Sequence, residues 1–173
     1  MLDVFLPHIV AFEEWKNSGY PDVKQETRDF IEHVLKPGKK QMWDHQKESL
    51  LRTIFAYEIL DKKNCLLNIV TGGGKTVNIA ATIFWLKLAH DINKFLILTP
   101  NTIVRGRLEY DFRNATVFKD WEFATKQNET LLNDLGLHMM ESGQQPQGML
   151  DAGVVLGNIQ QMYPSNTGGA RNL

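Results

Sequence analysis

Asn68-Ile69-Val70-Thr71-Gly72-Gly73-Gly74-Lys75-Thr76 is the stretch whose reading decides the fold. An apolar run, Cys65 to Val70, leads into it and reads as a buried central strand. Behind it, Val77, Ala80, Ala81, Phe84 and Leu88 recur at the spacing of one buried helix face. Strand, glycine turn, lysine, hydroxyl and helix follow one another in the order a phosphate-binding loop needs. Glycines let the backbone curl so that N–H groups face an anion. Lys75 is then expected to reach the β- and γ-phosphates, and Thr76 to offer its hydroxyl to Mg²⁺. A helix opening at Lys75 or Thr76 aims the positive end of its dipole at the same place. A glycine-rich hairpin turn carrying a lysine would need an alternating strand after it, and the helical spacing is there instead. Ile69 departs from the general GxxxxGK(S/T) pattern, which begins with glycine.

The chain of 173 residues is long enough for one domain with a proper core. It is 43% hydrophobic and 23% charged with a net charge of −1, so any attraction to nucleic acid must come from a local patch. One cysteine, Cys65, allows no internal disulfide and no cysteine-based zinc site; it reads as a small buried residue of the central strand. The five histidines, at 8, 33, 45, 90 and 138, show no metal-ligand spacing. The apolar N-terminus lacks a basic leader and contains Asp3, Pro7 and His8, which argues against a secretory signal. With no apolar run of membrane-spanning length, a cytoplasmic chain without membrane contact is expected.

Residues 1–40 read as a helical preamble. Asp22 is placed to cap a helix that carries Val23, Thr27, Phe30, Ile31 and Val34 on one face and ends at Pro37-Gly38. The cluster Lys36, Lys39 and Lys40 reads as a solvated linker. Asp44 is a plausible cap for the next helix, striped by Leu50, Leu51, Ile54, Phe55 and Ile59. Gln46, in its first turn, has the donor and acceptor pair needed to read adenine N6 and N7.

Phe95 to Leu98 reads as a buried strand of a parallel sheet, since a helix separates it from the first strand. It ends at Thr99-Pro100-Asn101-Thr102, on the edge where open α/β sheets bind ligands. A basic helical segment follows, with Arg105, Arg107 and Arg113; charge alone leaves it as either a solvated helix or a nucleic-acid contact. A short helix over 128–134, a strand within 135–140, a polar turn at 144–148 and a strand at Val154 to Leu156 complete the pattern. A helix then begins at Ile159, and 164–173 reads as a loop.

Four segments in this order resemble the first RecA-like domain of DEAD/DEAH-type helicases of the second superfamily. Trp43-Asp44-His45-Gln46 is similar to their adenine-reading segment, and Thr71 to Thr76 to motif I. Leu98-Thr99-Pro100-Asn101 is similar to motif Ia, and Val155 to Gln161 to motif Ib. The wording from Thr99 to Leu108 is narrower and resembles the motor (Res) subunits of type III restriction enzymes. The resemblance covers about Lys40 to Tyr163.

It implies an α/β fold: a partial RecA-like P-loop domain over 41–173, with a mostly parallel sheet, helices on both faces and a helical extension at 1–40. It implies ATP held by Gln46, Thr71, Gly72, Gly73, Gly74, Lys75 and Thr76, Mg²⁺ at Thr76, and phosphoryl transfer resting on Lys75 and Thr76. It also implies contacts to duplex DNA around Thr99, Pro100, Asn101, Arg105 and Asn158, with Arg107 where many helicases carry glutamine. No strand ending in Asp-Glu follows Asn158, and no second RecA-like lobe is present. The expectation is therefore the front of a longer translocase. Its partners would be a C-terminal lobe or nuclease domain and a modification or specificity subunit, and alone it would hydrolyse ATP poorly or not at all. The rival expectation is a non-catalytic module using ATP as a structural ligand or switch.

Overall fold

A computed structural model describes residues 5–37, 40–140 and 151–162. The turn expected at 144–148 and the tail from 164 lie outside the described residues, as does Gly38. The chain divides into two compact units, Met1–Asn78 and Ile79–Leu173.

The first unit is helical. Helix α1 (Ile9–Asn17) and helix α2 (Gln25–Leu35) precede helix α3 (Asp44–Ile54), which widens into a π-helical turn over Phe55–Ile59. Aromatic rings fill its centre. Phe12 is fully buried, with the Phe55 ring at 5.6 Å and the Trp15 ring at 5.9 Å, and the Arg52 guanidinium lies 4.7 Å above Phe5. Such ring pairs contribute beyond the area they bury. Thr27, Phe30 and Ile31 are the buried face of α2, as their spacing predicts. Its start is later than expected. Asp22 sits in the left-handed region (φ 63°) and belongs to a turn, so Lys24 flanks the helix instead. The Glu58 carboxylate accepts from the Lys24 backbone N–H at 2.9 Å and from Thr27 Oγ1 at 2.5 Å, tying the π-turn to the start of α2. Leu50, Leu51, Ile54 and Phe55 are buried along α3 and its extension.

The expected central strand at Cys65–Val70 is absent. Residues 61–70 form no ladder among the described residues and are exposed apart from Ile69, with Leu66 82% accessible. Cys65 is exposed too, not buried. A strand's N–H and C=O groups need a neighbour to pair with, and the three described strands pair only among themselves.

Helix α4 (Lys75–His90) begins in the first unit and continues into the second. Val77, Ala80, Ala81 and Phe84 are buried as predicted, while Leu88 is only half-buried; Ile83, Trp85 and Ala89 join the buried set, so burial extends well beyond one stripe. In the second unit lies a parallel sheet of strand β1 (Phe95–Thr99), strand β2 (Leu137–Met139) and strand β3 (Val154–Asn158), in the order β1-β3-β2. Phe95 pairs with Val154 and Thr99 with Asn158. Helix α5 (Thr102–Phe112) packs against all three strands, and helix α6 (Thr116–Asp120) against α5. The chain thus forms a mixed α/β fold with a small parallel sheet flanked by helices. Lys87, buried on α4, donates to Asn93 Oδ1 at 2.7 Å and pairs with Asp134 at 3.0 Å, which fixes the turn ahead of β2.

Candidate nucleotide and nucleic-acid sites

Thr71 to Gly74 form a tight turn that ends where α4 begins at Lys75. Gly72 (φ 82°) and Gly74 (φ 75°) occupy backbone conformations that L side chains adopt only under strain. Gly74 has a second reason to be glycine. A Cβ there would stand 1.9 Å from Gln46 Nε2. Gly73 N–H donates to Val70 O at 3.0 Å, which closes the turn. Among the described residues, the N–H groups of Gly74, Lys75 and Thr76 have no backbone carbonyl partner. These are the orphan donors of a helix N-terminus, and the helix dipole adds positive potential beside them.

Lys75 is exposed, its ammonium donating to Val70 O at 2.9 Å. That bond is within the loop itself, so the side chain is already positioned at the turn. Thr76 is half-buried in the first turn of α4. The residues fit a polyphosphate: N–H donors without a backbone partner among the described residues, one exposed cation and a hydroxyl gather at a single helix end. No cluster of three or more His, Cys, Asp or Glu side chains suited to a metal occurs among the described residues.

Gln46 is buried at the base of the loop. Its Oε1 accepts from the Trp43 N–H at 2.8 Å, and its Nε2 donates to Gly73 O at 3.4 Å. Trp43, not Asp44, is therefore the residue that flanks α3, and Asp44 is the first residue of that helix. In this arrangement the Gln46 amide joins the start of α3 to the glycine loop. Beside it, His45 Nε2 reaches the same Gly73 carbonyl at 2.9 Å. Sequence reasoning had no means to find that contact, since it joins a side chain to a backbone carbonyl 28 residues away.

Within the second unit, Thr99, Pro100, Asn101 and Asn158 come together at the carboxyl edge of the sheet. Thr99 and Asn158 are register partners on β1 and β3. Thr99 is buried, its hydroxyl 3.1 Å from Gly157 O and 3.2 Å from Asn101 O; one hydrogen serves one of these at a time. Asn101 Oδ1 caps α5 through the Val104 N–H at 2.9 Å, and Asn158 Oδ1 accepts from the Gln160 N–H at 2.9 Å. Arg105 donates to Met140 O at 3.2 Å. These polar groups build the edge, while Pro100, Thr102, Ile103 and Arg107 present its exposed surface. Arg113 is occupied by Glu109 one turn earlier on α5.

The family model for the type III restriction enzyme, res subunit, matches residues 39–172. The chain belongs to that family. Membership makes it an ATP-binding, helicase-like domain, of a family that uses ATP and Mg²⁺ and acts on DNA within larger restriction-modification complexes. No curated protein and no solved structure matches the chain. No helix of the described residues is long and apolar enough to cross a membrane.

Proposed function

We propose that this chain is the ATP-binding front of a DNA translocase, the motor of a restriction-modification enzyme. The observation that carries the reading is the set of N–H groups of Gly74, Lys75 and Thr76 without a backbone partner among the described residues, at the N-terminus of α4, beside an exposed Lys75. Polyphosphate would be held by those donors, with Lys75 releasing Val70 O to pair with the β- and γ-phosphates and Thr76 turning its hydroxyl to Mg²⁺. The ion would offset charge on the transferring phosphoryl group. Gln46 would face the adenine only by giving up at least one of its two present bonds, so binding of the base and shaping of the loop would be linked. The carboxyl edge at Thr99, Pro100, Asn101 and Asn158, with Arg105 behind it, would meet the DNA backbone, in the position where open α/β sheets bind ligands. A further lobe and a modification or specificity subunit would complete the motor.

Calorimetric titration of the chain with Mg²⁺-ATP tests the reading. Saturable binding is expected, weakened roughly tenfold or more in Lys75→Ala, because hydrogen bonds from a charged group contribute about 1.5–3 kcal/mol. Equal affinity of the two proteins would remove the loop from the nucleotide site.

A further inference from the structure

Two donors converge on one carbonyl at the base of the glycine loop. His45 Nε2 lies 2.9 Å from Gly73 O, and Gln46 Nε2 lies 3.4 Å from it. A carbonyl oxygen only accepts, so the His45 Nε2 carries the hydrogen whether the imidazole is neutral or charged. The shorter bond is the histidine's. Gln46 is also committed through Oε1 to Trp43. The Trp43 indole, 56% exposed, leans against the imidazole with ring centres 5.5 Å apart.

The geometry of the peptide unit gives this contact a consequence. No peptide bond among the described residues is cis. In a trans unit the C=O of one residue and the N–H of the next point in opposite directions. Holding Gly73 O on the α3 side therefore turns the Gly74 N–H away from α3, and that N–H has no backbone partner among the described residues. The Gly73–Gly74 unit has a glycine on each side, Gly74 with a positive φ of 75°, so no side chain restrains its rotation unless something else fixes it.

We propose that His45 is a positioning residue for the phosphates: its hydrogen bond to Gly73 O fixes the peptide plane that aims the Gly74 N–H at the anion. This rests on the nucleotide reading above. His45 touches no phosphate oxygen. It removes a rotation that would otherwise have to be frozen when the anion binds, which is pre-organisation in the ordinary sense. The effect belongs to the phosphates and is indifferent to the base.

The test compares Mg²⁺-ATP, Mg²⁺-GTP and inorganic tripolyphosphate by calorimetry, on the whole chain. The variants are His45→Phe, which keeps a ring but has no hydrogen to donate, and His45→Gln, which restores a donor. Lys75→Ala is the control. His45→Phe is expected to weaken all three ligands by the same factor, roughly three- to tenfold, as loss of one neutral hydrogen bond implies. His45→Gln is expected to recover most of that loss. If His45→Phe lowers thermal stability, the recovery by His45→Gln still decides, because packing alone would not return with the donor. Unchanged affinities in His45→Phe, beside a large loss in Lys75→Ala, would overturn the inference and leave the nucleotide reading standing. A loss confined to ATP would overturn it too, since the imidazole would then be meeting the base. Undiminished binding by Lys75→Ala would instead sink the nucleotide reading itself.

Discussion

Three apolar runs of similar composition meet three different fates in this chain, and the number of strands beside each one tracks the outcome. Val154–Asn158 has a parallel neighbour on each side and is buried along its whole length. Phe95–Thr99 has one neighbour among the described residues, and Leu96 and Leu98 are exposed between less accessible residues. Cys65–Val70 pairs with no strand among the described residues and lies open to solvent. Apolar composition permits a strand; a partner that takes up its N–H and C=O groups makes one. The glycine loop that follows the third run does not depend on a ladder in the same way. Its turn is closed by a bond from Gly73 to Val70, and it is braced from α3 by His45 and Gln46.

Removing the same side-chain atoms from each run turns that gradient into an experiment. Leu156, fully buried in β3, is expected to cost about 2–5 kcal/mol as Leu156→Ala, because transfer and cavity terms add in a packed interior. Urea or thermal unfolding of the whole chain reads the loss. A small loss there would mean that the sheet is not the core of its unit.

Leu98→Ala on β1 comes next, at about 1 kcal/mol. Leu98 is 40% exposed, so only part of its area is withdrawn from water. What is withdrawn lies close over β3, where a Cβ placed on Gly157 would meet Leu98 Cδ2 at 3.5 Å. A loss as large as that of Leu156→Ala would show that β1 is covered on its open side in solution.

The same gradient explains how much of the molecule was legible in advance. Elements specified by their own side chains came through: α4 from the spacing of Val77, Ala80, Ala81 and Phe84, α5 from the helical segment after Thr102, and β1 and β3 as strands from short apolar runs ending in turn residues, although Leu96 and Leu98 on β1 are exposed where burial was expected. The glycines were legible because Gly72 and Gly74 need conformations that other residues resist. What failed was set by distant neighbours. Nothing local to Cys65–Val70 says whether a strand will lie beside it. Asp22 carries a good capping side chain, yet its positive φ places it in the turn before α2, and Glu58 from the π-turn takes up the Lys24 N–H instead. Gln46 was singled out for its paired donor and acceptor, and both are used, though on Trp43 and Gly73. Lys87 carries no signal of its partner in the sequence, and only the fold brings Asp134 to it.

The smallest expected effect is the sharpest test of the comparison. Leu66→Ala removes atoms that are already in water, so its cost is expected to stay within about 0.5 kcal/mol. The chain's one cysteine stands beside it and gives an independent reading of the same segment. A thiol reagent is expected to label Cys65 in the native chain without any unfolding step, slowed relative to the denatured chain only by a smaller thiolate fraction. Desolvation pushes this thiol up from its ordinary value. The thiolate is the attacking form, so labelling must accelerate as the pH is raised. A native chain that protects Cys65, together with a Leu66→Ala loss approaching that of Leu156→Ala, would show that the run before the glycine loop has found a ladder partner in solution. Protection without that loss would mean that the thiol is covered while Leu66 stays in water, an arrangement open to a paired strand too, since alternate side chains of β1 such as Leu96 and Leu98 face solvent.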